Sequence, residues 1–302
     1  MTQEQFIEAM REHIKWLKKK GGKKADFTGE SLCDINFLVI DLQDDDPHPI
    51  PRNLFKGVSF VKANLSGADM TACNFYNANF SGANLTGIKA NCCNFDNVDM
   101  SGANLHAANL AGAKLAYANL CDSNLTYANL SFSDLRFARL SGITGNHLDL
   151  TGAWLDETRF LYAKLKGADF TAVHMDGEID EGLPSKGPKF DGADLTEAKF
   201  IRTELRDASF NCANLTRTIF FRANFCASTG TTKDGKQVMP GTTTFKEVEI
   251  DDTMLNFSNV APVFDFTDVD LSKCQMNNAL RKVLEKSSKE FGTTSTNSMS
   301  LF

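Results

Sequence analysis

A large apolar residue falls on nearly every fifth position through the middle of this chain. The series runs Leu65, Met70, Phe75, Phe80 and Leu85, then Phe95, Met100, Leu105, Leu110, Leu115, Leu120, Leu125, Leu130, Leu135 and Leu140. Two residues before each stands a small one, as at Ala63, Ala68, Cys73, Ala78, Ala83 and Ala103, and Asn or Asp comes between, as at Asn64, Asp69 and Asn84. The unit is A-[N/D]-[L/F]-x-x. Its period fits neither the 3.6-residue turn of a helix nor the alternation of a strand. A fixed self-similar period marks a stacked repeat, in which no unit buries its apolar side chain alone and each rests on the next.

Bulk properties narrow the class. The chain has 302 residues, 42% of them hydrophobic, which supplies a long core, and 23% charged residues argue against disorder. A net charge of −6 is mildly acidic and speaks against direct nucleic-acid binding, which calls for a basic face. Residues 1–24 hold no apolar signal-peptide core, and no apolar run approaches a membrane span. Eight cysteines are too few for a dense disulfide framework, so the expected compartment is the reducing cytoplasm.

The tandem A-[N/D]-[L/F]-x-x units resemble the pentapeptide-repeat family, and the resemblance covers about two thirds of the chain or more. It implies an all-β fold, a right-handed quadrilateral β-helix in which each pentapeptide forms one side and four make a coil. The start of the chain is also similar to the cap that opens many bacterial members. His13, Trp16, Leu17, Gly21, Gly22 and the following Ala25-Asp26-Phe27 carry that likeness. Fold says little of function, because function lives in sites grafted onto folds.

The expected organisation follows from breaks in the beat. Residues 1–24 read as a helical cap: Phe6, Ala9, Met10, His13, Ile14, Trp16 and Leu17 recur at helical spacing, Thr2 and Gln5 suit a capping box, and Gly21-Gly22 ends the helix. A helix over the first coil covers an edge that would recruit other strands. The β-helix is expected over 25–276, interrupted by loops near 43–52, 178–187 and 228–243, and the beat slips by one residue towards Phe266, Leu271 and Met276. Residues 277–291 read as a second helix and 292–302 as a disordered Ser/Thr-rich tail.

If four pentapeptides make a coil, residues 20 apart stack, at about the 4.8 Å of neighbouring strands. One interior column would be Phe60, Phe80, Met100, Leu120, Leu140 and Phe160. The small residue two places earlier also points inward. At Ile88 with Ala90, and at Ile143 with Gly145, large and small exchange places while the volume is roughly kept, as close packing requires. Glycines such as Gly67, Gly82, Gly102 and Gly112 suit the corners, where positive φ is cheap for them.

No catalytic constellation emerges, so the chain reads as a non-enzyme without cofactor or metal. Gly230 to Lys236 fits the opening of a phosphate-binding loop, but Gln237 stands where Ser or Thr is needed and Pro240 opposes the following helix. The histidines His13, His48, His106, His147 and His174 make no metal-ligand spacing, and Asp44-Asp45-Asp46 lacks the spaced oxygens of a calcium loop. Cys73 and Cys93 fall one coil apart at the small inward position; the separation admits a disulfide or two buried thiols.

The outward positions carry a sharper signal. Tyr117, Tyr127, Phe132, Phe137 and Trp154 replace the usual small polar residues, with Arg136, Arg139 and Arg159 beside them. Aromatics edged with Arg have the composition of an interface core, and equally of corner aromatics packing on one another. The leading expectation is a non-catalytic protein-interaction scaffold whose protein partner is unknown, a homodimer being compatible. Two alternatives come from the resemblance, since some family members mimic DNA and bind type II topoisomerases such as gyrase, and others are translocated bacterial effectors acting on host proteins. Against mimicry, residues 53–177 hold ten acids and nine bases, not a stripe of one sign.

Overall fold

The protein, a computed structural model, is described over residues 1–33, 35–37, 54–175, 178–179, 183–184, 186–205, 207–225, 243–245, 248, 253–259, 264–265 and 274–276. It winds as a right-handed β-helix and falls into two compact units, Met1–Thr144 and Gly145–Phe302. The expected loops at 43–52 and 228–243 lie largely or wholly outside the described residues, as do the second helix at 277–291, the tail, the Asp44–Asp46 run and the glycine-rich segment at 230–236.

Hydrogen bonding explains the consensus. In the pentapeptide 78–82, Ala78 N–H donates to the Phe75 carbonyl within the corner turn, Asn79 N–H to Val58 one coil back, Phe80 N–H to Asp99 one coil ahead, and Gly82 N–H to Ser101. The Ser81 N–H remains, and it donates to the Asn79 side-chain Oδ1 at 2.8 Å. Every buried or half-buried amide needs an acceptor, and a short carboxylate or amide two residues back reaches this one. The same Asx contact recurs from Asp69 to Thr71, Asn94 to Asp96, Asn129 to Ser131, Asp149 to Thr151 and Asn214 to Thr216. Asn or Asp at the second position therefore satisfies an amide of the coil, and where Lys114 stands there the Asp96 side chain one coil back accepts the Ala116 N–H instead.

Each corner is a type II turn. The residue two after the large apolar one has positive φ, at Gly82 (64°) but also at Asn77 (59°), Tyr117 (60°) and Phe132 (57°). Sequence reading assigned this conformation to the corner glycines, where it is cheap. In the structure the coil geometry imposes it at non-glycine corners as well, at a cost for bulky side chains.

In the first unit, α1 (Gln3–Leu17) opens on Thr2 with both capping-box bonds formed. It buries Phe6, Met10, His13 and Ile14, and the Phe6 ring lies 4.9 Å from Phe27 and 5.2 Å from Phe37. Trp16, expected on the buried face, is half exposed and stacks on His13 instead. Parallel bridges then step by 20 residues from Ser59↔Asn79 to Asn124↔Thr144, while the first coil pairs Asp26 with Ser59. The interior is filled by the large residues and the small ones, nearly all buried, including Ile88, Ala90 and Ile143 at the exchanged positions, with Cys73 half-buried. Phe60 stacks on Phe80 at 4.6 Å and Phe75 on Phe95 at 5.3 Å.

The second unit repeats this packing with phenylalanine columns. Phe160, Phe190, Phe210 and Phe245 stack at 5.0–5.1 Å, and Phe170, Phe200 and Phe220 at 4.6–4.8 Å, with edge contacts between the columns. Arg159 bridges to Lys189, a step of 30, and between them β1 (Glu178–Ile179) pairs antiparallel with β2 (Leu183–Pro184). Beyond it, β3 (Lys199–Ile201), β4 (Ile219–Asn224), β6 (Thr253–Asn259) and β8 (Cys274–Met276) form a parallel sheet, and β5 (Thr243–Thr244) pairs with β7 (Phe264–Asp265). Leu255 pairs with Met276 and Thr244 with Asp265, so the coil step has lengthened from 20 to 21.

Candidate interaction surface

The two elements of a corner, a half-buried fourth residue and a fifth with positive φ, decide which side chains project. In the first unit the fifth residues Tyr117, Tyr127 and Phe132 are 57%, 59% and 68% exposed, and Phe137 is half-buried. Tyr117 N–H donates to the Arg136 carbonyl at 3.0 Å, which sets the two corners one above the other. The rings of Tyr117 and Phe137 consequently lie parallel, 4.7 Å apart and inclined by 4°. Their faces cover each other and their edges point outward. Phe132 stands on the preceding corner, and Tyr127 meets the edge of His106 at 5.9 Å.

Between the Phe132 and Phe137 corners lies a face bearing Lys114, Asp134 and Arg136. The Arg136 guanidinium grips Asp134 through both nitrogens, Nε to Oδ1 at 2.8 Å and Nη2 to Oδ2 at 2.6 Å. Burial works against the Asp134 carboxylate, but the Arg136 side chain and N–H outweigh it and hold the carboxyl below its usual range. Asp96, on the same face, is pushed up, chiefly by burial, although it accepts the Ala116 N–H at 2.9 Å. Arg136 is thus neutralised in place, not a loose rim cation. Arg139 is exposed on the next face and has no ion-pair partner among the described residues.

Trp154 and Arg159 belong to the second unit. Trp154 is half-buried on a flat side and packs against His174, ring centres 5.1 Å apart, and Arg159 is exposed. Cys73 and Cys93 are free thiols; Cys93 donates to the Met70 carbonyl, and burial pushes their pKa up to about 12 for Cys93 and about 11 for Cys73, so both stay protonated. Among the described residues no group of three or more His, Cys, Asp or Glu could hold a metal ion.

The family model for pentapeptide repeats matches this register in 8 copies, at residues 54–87, 78–110, 103–142 and 189–225. The chain is a pentapeptide-repeat protein. Similar solved structures include the pentapeptide-repeat protein HetL of the cyanobacterium Nostoc sp. strain PCC 7120, involved in heterocyst differentiation regulation, with 21% identity over 87% of this chain and 96% of that one and a TM-score of 0.44. A pentapeptide-repeat protein of the Arabidopsis thaliana thylakoid lumen has 23% identity, covering 42% of this chain and 74% of that one with a TM-score of 0.30. QnrB1, a plasmid-mediated fluoroquinolone resistance protein, has 19% identity over 76% of this chain and 92% of that one, with a TM-score of 0.27. No curated protein matches the sequence. No helix among the described residues is long and apolar enough to cross a membrane.

Within a pentapeptide-repeat coil the fifth position can be read directly for projecting side chains. Tyr162, at 74% the most exposed large apolar residue among those described, occupies that position in the second unit and escaped the sequence reading. Its signal was the same as that of Tyr117. Its ring lies over Gly192 so closely that a Cβ there would come within 2.5 Å of it.

Proposed function

We propose that this pentapeptide-repeat protein is a non-catalytic scaffold that binds another protein through the corner aromatics of its first unit. One observation carries the reading: Tyr117, Tyr127, Phe132 and Phe137 hold bulky rings in a left-handed backbone conformation, and the first three are left largely in water while Phe137 is half-buried against Tyr117. Both features cost free energy and neither serves the core, whereas desolvated aromatics dominate protein interfaces. Many of the remaining outward positions are occupied with Asx turns and stacked ion pairs such as Lys89 with Asp69 at 3.9 Å. The test is a Phe132→Asn/Phe137→Asn double variant, Asn being tolerated at positive φ. Affinity capture from the native organism and light scattering should show the wild type losing a stoichiometric partner, or a defined oligomer, on substitution, with circular dichroism unchanged. Identical complexes from both proteins refute the reading.

A further inference from the structure

Where this fold stacks two charges one coil apart, it generally pairs opposite signs. Asp69 meets Lys89, Asp169 meets Lys199 at 3.6 Å, and the Glu197 carboxylate binds the Arg217 guanidinium directly. Like-charged steps elsewhere are relieved: Asp149 stacks on Asp169, which Lys199 neutralises, and Arg159 on Lys189, which has the carboxylates of Asp191, Asp207 and Glu157 around it. Among the described residues nothing relieves Arg202 and Arg222. They occupy the same corner of successive coils, since Arg202 N–H donates to the Phe221 carbonyl at 2.8 Å, and both are exposed. Neither has a carboxylate within ion-pair distance among the described residues. Glu204, on the following face, accepts instead from the Asn224 amide at 2.8 Å.

Three local features hold these guanidiniums outward. Both residues have positive φ, 52° and 55°, which directs the side chain off the corner. Arg222 also sits at a register shift: Phe221 pairs with Asn256 and Ala223 with Phe257, so the residue between them is bulged out of the ladder between β4 and β6. Bulges of this kind re-aim a side chain and accompany functional sites. The Arg222 guanidinium lies 5.5 Å from the centre of the Phe221 ring, which restricts its orientation.

We propose that Arg202 and Arg222 form a clamp for a phosphate monoester dianion. Corners of successive coils are about 4.8 Å apart, a spacing that lets both forks reach one tetrahedral group. Such a group offers three terminal oxygens and two charges, which satisfies two guanidiniums where a single carboxylate would satisfy one. Binding removes the repulsion between the two arginines that the empty clamp bears. This site is in the second unit and does not rest on the corner aromatics of the first.

Titration calorimetry of the full chain tests it with three probes: inorganic phosphate, a phosphoserine peptide with neutral flanks, and the same peptide unphosphorylated. The phosphopeptide should bind, and its affinity should fall about tenfold in Arg202→Ala and in Arg222→Ala. Arg217→Ala, which alters an arginine already bound to Glu197, should change it by less than roughly twofold. The Arg202→Lys/Arg222→Lys variant keeps the charge but loses the forks, and it should bind more weakly than wild type while keeping the native circular dichroism. Equal affinity for inorganic phosphate and phosphopeptide upholds the clamp and assigns it to free phosphate; tighter peptide binding assigns it to a phosphorylated chain. Equal binding of the unphosphorylated peptide, undiminished binding by the Arg202→Ala/Arg222→Ala protein, or no binding of either phosphate-bearing probe overturns the proposal.

Discussion

The buried histidine under the helical cap gives the fold a specific acid sensitivity. His13 is fully buried, and its Nδ1 accepts the Ala25 N–H at 3.2 Å, so the ring is neutral with its proton on Nε2. Protonation would replace that acceptor with a donor facing a donor. Burial first, and then the charge of Lys24, lower its pKa from 6.5 to about 4. The folded state therefore binds fewer protons than the unfolded one between these values. The stability in question is complete above pH 6.5, falls by about 1.4 kcal/mol per pH unit as the pH drops towards 4, and levels off below. The whole loss is about 3 kcal/mol. Trp16 reports it, since its ring stacks on His13 at 5.3 Å, and Trp154→Phe removes the other of the two tryptophans. Urea unfolding followed by Trp16 fluorescence should show stability dropping by about 3 kcal/mol more in the parent than in His13→Gln between pH 6.5 and 4. Asp26, whose carboxyl is lowered by its bonds to Thr28, titrates below this window and is shared by both proteins. Parallel stability curves for the two would refute the reasoning.

Three further substitutions test the hydrogen-bond scheme. The buried Ser123 hydroxyl has no partner among the described residues, whereas that of Ser133 donates to the Leu130 carbonyl at 2.7 Å. Ser123→Ala should leave stability unchanged or raise it by up to about 1 kcal/mol in urea unfolding, while Ser133→Ala lowers it by a similar amount. Asn94→Ala removes the acceptor of the Asp96 N–H, 3.0 Å away, and should cost about 1 kcal/mol with the same amide losing hydrogen-exchange protection first.

The core was legible because the repeat assigns one job to each of its first three positions. Ala83, Asn84 and Leu85 could be placed as small inward, outward and large inward from spacing alone, and the exchange at Ile88 and Ala90 could be read as conserved volume. The helix was legible from Thr2, Gln5 and the spacing of Phe6, Met10, His13 and Ile14. What spacing could not give was the purpose of Asn or Asp at the second position, because the acceptor it supplies is for an amide two residues on and has no counterpart in side-chain periodicity. Nor could it give the pairing of Arg136 with Asp134, which depends on rotamers. Arg202 and Arg222 passed unnoticed for a different reason: each is an ordinary surface residue alone, and the repulsion arises only when a coil brings them together.

That division of labour also says where function can be written into such a chain. The first and third positions are committed to the core, and the second to the Asx turn, so a second-position residue that cannot accept a hydrogen bond gives something up. At Arg139, beside the stacked rings of Tyr117 and Phe137, the acceptor that Asn or Asp would offer Ser141 is forgone, and a guanidinium without an ion pair among the described residues stands in its place. The fourth and fifth positions are unconstrained by packing, but the fifth must adopt positive φ, which glycine, Asn and Asp accept at least cost. A tyrosine, phenylalanine or arginine there is a departure against local preference, and in this chain such departures gather as aromatics on three successive corners of the first unit, with Tyr162 in the second, and as arginines in the second, where Arg217 is paired with Glu197 and Arg202 and Arg222 share one corner. Opposite chemistries set on the same kind of position, in different units, argue for two separate recognition surfaces on one regular scaffold.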